Sequence, residues 1–160
     1  MESNPFEISL SGPHVLIIPD HIAEAFLEAG HKRVEVKATF EDKTVAFHGA
    51  IQKRNGQYLM IFGKKLQKAL GVYPNDYFEL QFFKDTSKYG VEMPEELAAV
   101  LMSDHEAAQI FESFTDGKKR GIIYMVLGYK NSQTRIDKSL RICENLKRGI
   151  RKNPDLLKSF

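Results

Sequence analysis

The chain has one cysteine, no tryptophan and no glycine-rich phosphate loop, and its apolar runs, such as Ile122 to Leu127, are short. A single cysteine, Cys143, excludes an intrachain disulfide and suits a reducing compartment. A run as short as Ile122–Leu127 falls far below the roughly 20 residues a bilayer-spanning helix needs. Residues 1–12 lack the basic start and apolar centre of a signal peptide, so the expected location is the cytoplasm. The five histidines, His14, His21, His31, His48 and His105, form no HxH or HxxxH pair. A zinc site would need carboxylates gathered by the fold, and neither a metal nor a cofactor is expected.

What is present fits one or two small globular units. The 160 residues are 42% hydrophobic and 28% charged, close to the globular average. Net charge is only +2, but it is unevenly placed. Residues 1–116 carry 11 Lys/Arg against 18 Asp/Glu, a net of −7, whereas residues 117–152 carry 11 against 2, a net of +9. Such a contrast either steers anions to one end or draws the two halves together.

The first 86 residues repeat themselves at an offset of 44. Leu16-Ile17-Ile18 falls on Met60-Ile61-Phe62, Ile22, Ala25 and Phe26 fall on Leu66, Ala69 and Leu70, and Val34-Glu35-Val36 falls on Phe78-Glu79-Leu80. Each copy reads as a short apolar strand, a short amphipathic helix (Asp20–Ala29, Lys64–Leu70) and an alternating strand. Asp20 is the expected N-cap, and Gly30 and Gly71 are the expected stops. Between the copies, Thr44 to Lys53 alternates, and Asn55-Gly56 supplies the two positive-φ residues of a type I′ hairpin. Two such units, neither able to bury its own apolar face, predict a small β-barrel of approximate twofold symmetry with a helix at each end.

Ile18-Pro19, Gly30, Arg33-Val34, Gly56-Gln57-Tyr58, Lys64-Lys65 and Gly71 to Asp76 carry a resemblance to a small barrel domain of unknown function found in short bacterial and archaeal proteins. The resemblance spans residues 5–86 and implies a double-split β-barrel, an architecture also used by swapped-hairpin transcription regulators.

After Tyr89-Gly90 the pattern becomes helical. Pro94 with Glu95 and Glu96 marks a helix start, since a first turn tolerates proline and favours negative charge. Leu97, Val100 and Leu101 form its inner face. Ser103 or Asp104 caps a second helix with Ala107, Ala108, Phe111 and Phe114 inside, and Asp116-Gly117 breaks it. A third helix is expected over 118–130. A fourth opens at Asn131 or Ser132 and carries an inner stripe of Ile136, Leu140, Cys143, Leu146 and Ile150. Met93-Pro94-Glu95-Glu96-Leu97, Ala107, Phe111, Lys118-Lys119-Arg120, Tyr129-Lys130, Thr134-Arg135, Arg141-Ile142 and Gly149 resemble the YdeI-like, OmpD-associated or bacteriocin-protection family over residues 91–150. One departure concerns packing: where that family usually has Trp-Ile, this chain has Val126-Leu127 followed by Gly128-Tyr129. The resemblance implies a loose link to antimicrobial-peptide tolerance and no established reaction.

The expected architecture is therefore α+β: a pseudo-twofold double-split β-barrel with two short helices over 1–90, then a bundle of about four helices over 91–160 packed on or beside it. Candidate anion or partner contacts are Arg135, Lys118, Lys119, Arg120, Lys138, Arg141 and Arg148. Arg135 adjoins the inner stripe, where its planar fork suits a carboxylate of the barrel or a ligand anion. Lys118, Lys119 and Arg120 open a helix; Lys138, Arg141 and Arg148 form an outward stripe that phosphates can follow. Ser103-Asp104-His105 holds triad letters, yet sequence neighbours on a helix do not face one another. Cys143 on an apolar stripe is a packing residue. The expectation is a monomeric, non-enzymatic binding or stress-tolerance accessory protein whose partner is a protein or a small anion; the alternative is a nucleic-acid binder using the last helix.

Overall fold

The computed structural model describes residues 1–159 and divides into two compact units, Met1–Thr86 and Ser87–Phe160, the last residue lying outside the described set. The fold is α+β, with six α-helices and two antiparallel four-stranded sheets among the described residues.

In the first unit the elements are β1 (Phe6–Ile8), β2 (Leu10–Ser11), β3 (Val15–Ile18), α1 (Asp20–Glu28), β4 (Arg33–Phe40), β5 (Lys43–Ala50), β6 (Gln52–Arg54), β7 (Gln57–Ile61), α2 (Lys64–Leu70) and β8 (Phe78–Lys84). The strand orders are β1-β8-β4-β5 and β2-β3-β7-β6. The hydrogen-bond ladders thus form two sheets, where the alternation pattern predicts one closed barrel. The chain passes between them four times: at Ser9 between β1 and β2, through α1, at Ile51 between β5 and β6, and through α2.

The repeat is visible in the ladder registers. Leu16 faces Met60 across β3 and β7, and Lys37 faces Gln81 across β4 and β8. Both pairs are 44 positions apart, so each strand of one copy pairs with its own counterpart in the other. The inner faces meet in one core of Leu16, Ile18, Phe26, Val34, Val36, Met60, Phe62, Leu70, Leu80 and Phe82. Phe26 and Phe82 meet edge to face at 5.7 Å, and Phe62 stacks on Phe78 at 5.5 Å, orientations that the ring quadrupoles favour. Asn55 and Gly56 adopt φ of 52° and 76° as the hairpin requires. Pro19, not Asp20, occupies the N-cap of α1; Asp20 is its first helical residue, where negative charge suits the helix dipole.

The second unit holds α3 (Glu95–Ser103), α4 (His105–Glu112), α5 (Asp116–Leu127), α6 (Ser132–Lys147) and a short 3-10 helix, Asn153–Leu157. The side chains of Asp104, Thr115 and Asn131 accept N–H groups of Ala107, Lys118 and Thr134, capping α4, α5 and α6. Because Thr115 caps α5, Asp116-Gly117 is its first turn, not a break before it, and the helix ends at Leu127 where the apolar run predicts 130. The buried face of α6 is Ser139, Ile142, Cys143, Asn145 and Leu146, while Leu140 is 52% exposed. The expected stripe was rotated toward Leu140. The true face includes two polar residues that an apolar-periodicity reading discards, and Asn145 earns its place by donating to the carbonyls of Leu156 and Lys158. Among the described residues no helix is long and apolar enough to cross a membrane.

Candidate functional site

The cations that the sequence singles out are engaged within the second unit. Arg135 donates through Nε to the Tyr129 carbonyl at 2.6 Å and through its terminal nitrogens to the Leu127 carbonyl and Glu96 Oε1, both at 3.4 Å. Its carboxylate partner therefore comes from α3, not from the barrel, and its fork closes the C-terminal end of α5, whose last carbonyls have no helical partner. Lys118 bonds the Arg151 carbonyl and Asn153 Oδ1, tying α5 to the 3-10 helix. Lys119, 9% exposed, pairs with Glu112 at 3.3 Å. Arg120 donates to the Tyr89 carbonyl and Arg141 to the Leu157 carbonyl. Lys138 lies 5.6 Å from the Tyr129 ring centre, and Arg148 is the exposed C-cap of α6.

A second network surrounds Tyr89. Its hydroxyl donates to Glu112 Oε1 at 2.5 Å while Lys119 holds the other carboxylate oxygen. Burial, reinforced by the bond to Glu112, pushes the Tyr89 phenol up; the same bond, with Lys119, holds the Glu112 carboxyl down. Lys88 lies over the Tyr89 ring at 5.2 Å. This cluster joins Tyr89 to α4 and α5.

Several lysines of the first unit lack such partners. None of Lys37, Lys43, Lys64, Lys68 and Lys84 has a carboxylate within ion-pair distance among the described residues. Lys64 and Lys68 line a cavity of about 300 Å³ between α2 and the turn that follows it, together with Gln67, Val72, Tyr73 and Pro74. The Lys43 ammonium lies against Gly71, where a Cβ would come within 3.2 Å of it. Gly71 has φ of 81°, ending α2 in the left-handed conformation that glycine alone adopts freely. Gln67 is locked by donating to the carbonyls of Pro13 and Phe62, at 2.7 and 2.8 Å. Tyr73 is 74% exposed, and its turn is fixed by its own N–H donating to Asp76 at 2.8 Å.

Two further features lie on the outward face of the β8-β4-β5 sheet. One is an open groove of about 880 Å³ lined by Met1, Glu35, Lys37, Ala46, Phe83 and Lys84, among others. The other is a pair, His48 Nδ1 to Asp85 Oδ2 at 2.8 Å, both side chains largely covered. The carboxylate engages Nδ1 and so fixes the ring orientation. Separated by 37 positions, the pair leaves no local signature in the sequence. Lys64 and Lys68 were legible only as part of a Lys-rich helix, and Lys43, on β5, had no such signal.

The family model described as bacteriocin-protection, YdeI or OmpD-associated matches residues 90–149, and the model described as a domain of unknown function (DUF1905) matches residues 5–82. The chain is thus similar to YdeI-like, OmpD-associated proteins over residues 90–149 and to the domain of unknown function over 5–82. Within the matched residues Arg135 acts as a helix clamp, and Asn131 caps α6 just before it. Val126, in the position of the missing tryptophan, is fully buried. The solution structure of PHS018 from Pyrococcus horikoshii is similar at 18% identity and a TM-score of 0.42, covering 50% of this chain and 88% of that one. No curated protein matches the chain significantly.

Proposed function

We propose that this YdeI-like chain is a non-enzymatic binding protein that holds a small anionic ligand on its first unit, in an accessory role in stress tolerance. The observation that carries this reading is the contrast in how the two units use their cations. In the second unit Lys118, Lys119, Arg120, Arg135 and Arg141 each contact a carbonyl or carboxylate of their own unit. In the first, Lys64 and Lys68 line a cavity and Lys43 lies near its Gly71 edge, and none of the three has a carboxylate within ion-pair distance among the described residues. Like charges held together cost free energy, and a bound anion offsets that cost.

The two sheets, joined through Ser9 and Ile51, are read as the halves of a split barrel that fixes α2 in place. The family description, bacteriocin-protection, supports the tolerance role. The lone cysteine supports a reducing compartment such as the cytoplasm, and the internally duplicated first unit, needing no second chain to complete it, supports a monomer. The test is a titration of the ¹⁵N-labelled full chain with pyrophosphate at low salt, with ³¹P spectra recorded in parallel. Amide shifts centred on Lys64, Lys68 and Gly71 with pyrophosphate left intact support the reading. Shifts confined to α5 and α6, or conversion of pyrophosphate to phosphate, contradict it.

A further inference from the structure

The two copies of the repeat put opposite charges on the same scaffold. With the offset of 44, Asp20, His21 and Glu24 of α1 correspond to Lys64, Lys65 and Lys68 of α2. The buried positions correspond as well: Ala23 with Gln67, and Phe26 with Leu70. The fold therefore accepts either sign at these exposed places, and stability of the unit does not require three lysines on α2. Their presence asks for another cause.

We infer that the cavity between α2 and the Gly71–Pro74 turn binds an organic phosphate carrying a flat aromatic ring, that is, a nucleoside phosphate. This rests on the reading that the first-unit lysines hold an anion, and it names the ligand class. Lys64 and Lys68 line the cavity and Lys43 lies against its Gly71 edge, so three compact ammonium groups can share the charge of one phosphate. The remaining wall is not polar. Val72 is buried, and Tyr73 and Pro74 present an exposed ring and an apolar face. A phosphate alone leaves that wall unused, whereas a nucleobase stacks on a tyrosine regardless of its identity. The volume, about 300 Å³, lies at the small end of ligand pockets and suits a mononucleotide. Two hydrogen bonds hold Gln67, and Asp76 holds the Tyr73 backbone, so the wall is preformed. The counterpart of Tyr73 in the first copy is Ala29, a residue with no ring. Charge and aromatic wall are thus acquired together in one copy.

The experiment is a ¹⁵N-NMR titration of the full chain with adenosine monophosphate, inorganic phosphate and a single-stranded thymidine octamer, each at the same low ionic strength. Adenosine monophosphate should bind about tenfold more tightly than inorganic phosphate and shift Lys68, Gly71 and Tyr73. Tyr73→Ala should bring the nucleotide down to the affinity of phosphate, and the Lys64→Ala/Lys68→Ala variant should weaken both by about tenfold or more. All three positions are exposed, and circular dichroism checks that the variants stay folded. The octamer settles the source of the ligand: tighter binding than the mononucleotide at the same residues points to a nucleic-acid strand, weaker binding to a free nucleotide. Equal affinity for nucleotide and phosphate at this cavity overturns the nucleoside part and leaves the anion reading standing. No shift at α2 with any of the three overturns both.

Discussion

Leu16 and Met60 face each other across the β3–β7 ladder, are 44 positions apart in sequence, and are both fully buried. They are the same position in two copies of one strand. The inner wall of Met60 also explains a glycine: a Cβ at Gly49 would stand 2.6 Å from Met60 Sδ.

Gly49→Ala should therefore destabilise the chain by about 1–3 kcal/mol, because the sulfur must move within a filled core. In combination with Met60→Ala, which alone costs about 2–5 kcal/mol, the two losses should sum to less than their separate values. Urea unfolding of the single and double variants measures this. Strict additivity would show that Gly49 and Met60 do not touch.

Arg135 is a clamp on α5. Arg135→Ala removes donors from two carbonyls and leaves Glu96, whose side chain is only 12% exposed, without its cation. The expected loss is about 2–3 kcal/mol. Arg135→Lys should recover less than half, since one ammonium cannot reach three acceptors at once. A change below about 0.5 kcal/mol, the level of an ordinary surface substitution, would leave the clamp without support.

Asp104 links pH to stability. Its bond to Lys147 at 2.9 Å, followed by the Ala107 N–H at the cap, holds its carboxyl below the usual range. A depressed folded value stabilises above the ordinary carboxylate pKa of about 3.9 and loses that contribution as pH falls through the folded value. The stability gap between wild type and Asp104→Asn should be level from about pH 7 to 5 and close below about pH 4. Denaturant midpoints at several pH values give the profile; a gap that widens in acid has the wrong sign.

Cys143 is 1% exposed, and burial pushes its thiol up to about 12. At pH 8 the folded chain should react with a disulfide reagent only as fast as it opens, and fully once unfolded. Prompt labelling of the native protein would place the thiol at the surface.

The repeat was legible in the sequence because ladder pairing preserves spacing: one offset aligns strands, helices and buried positions at once. Caps at Asp104 and Asn131 and the Asn55-Gly56 hairpin were legible because they are local. The two-sheet hydrogen bonding was not, since crossings at Ser9 and Ile51 carry no distinctive residue. The face of α6 was misjudged because Ser139 and Asn145 are buried polar residues, and Asn145 is justified by carbonyls 11 and 13 positions away. The proposed site differs from the sequence candidates for a related reason. Charge density singled out α5 and α6, but a cation matters to a ligand only when its own structure leaves it unsatisfied, and that depends on partners distant in sequence. The His48–Asp85 pair escaped for the same cause.

The central claim is that the anion-binding cations lie on α2 and β5, not on the basic last helix. Calorimetric titration of pyrophosphate into three full-length chains tests it most directly: wild type, Lys43→Ala/Lys64→Ala/Lys68→Ala, and Lys138→Ala/Arg148→Ala. Affinity should fall by about tenfold or more in the triple variant and stay within about twofold in the double variant. The opposite order would contradict the account.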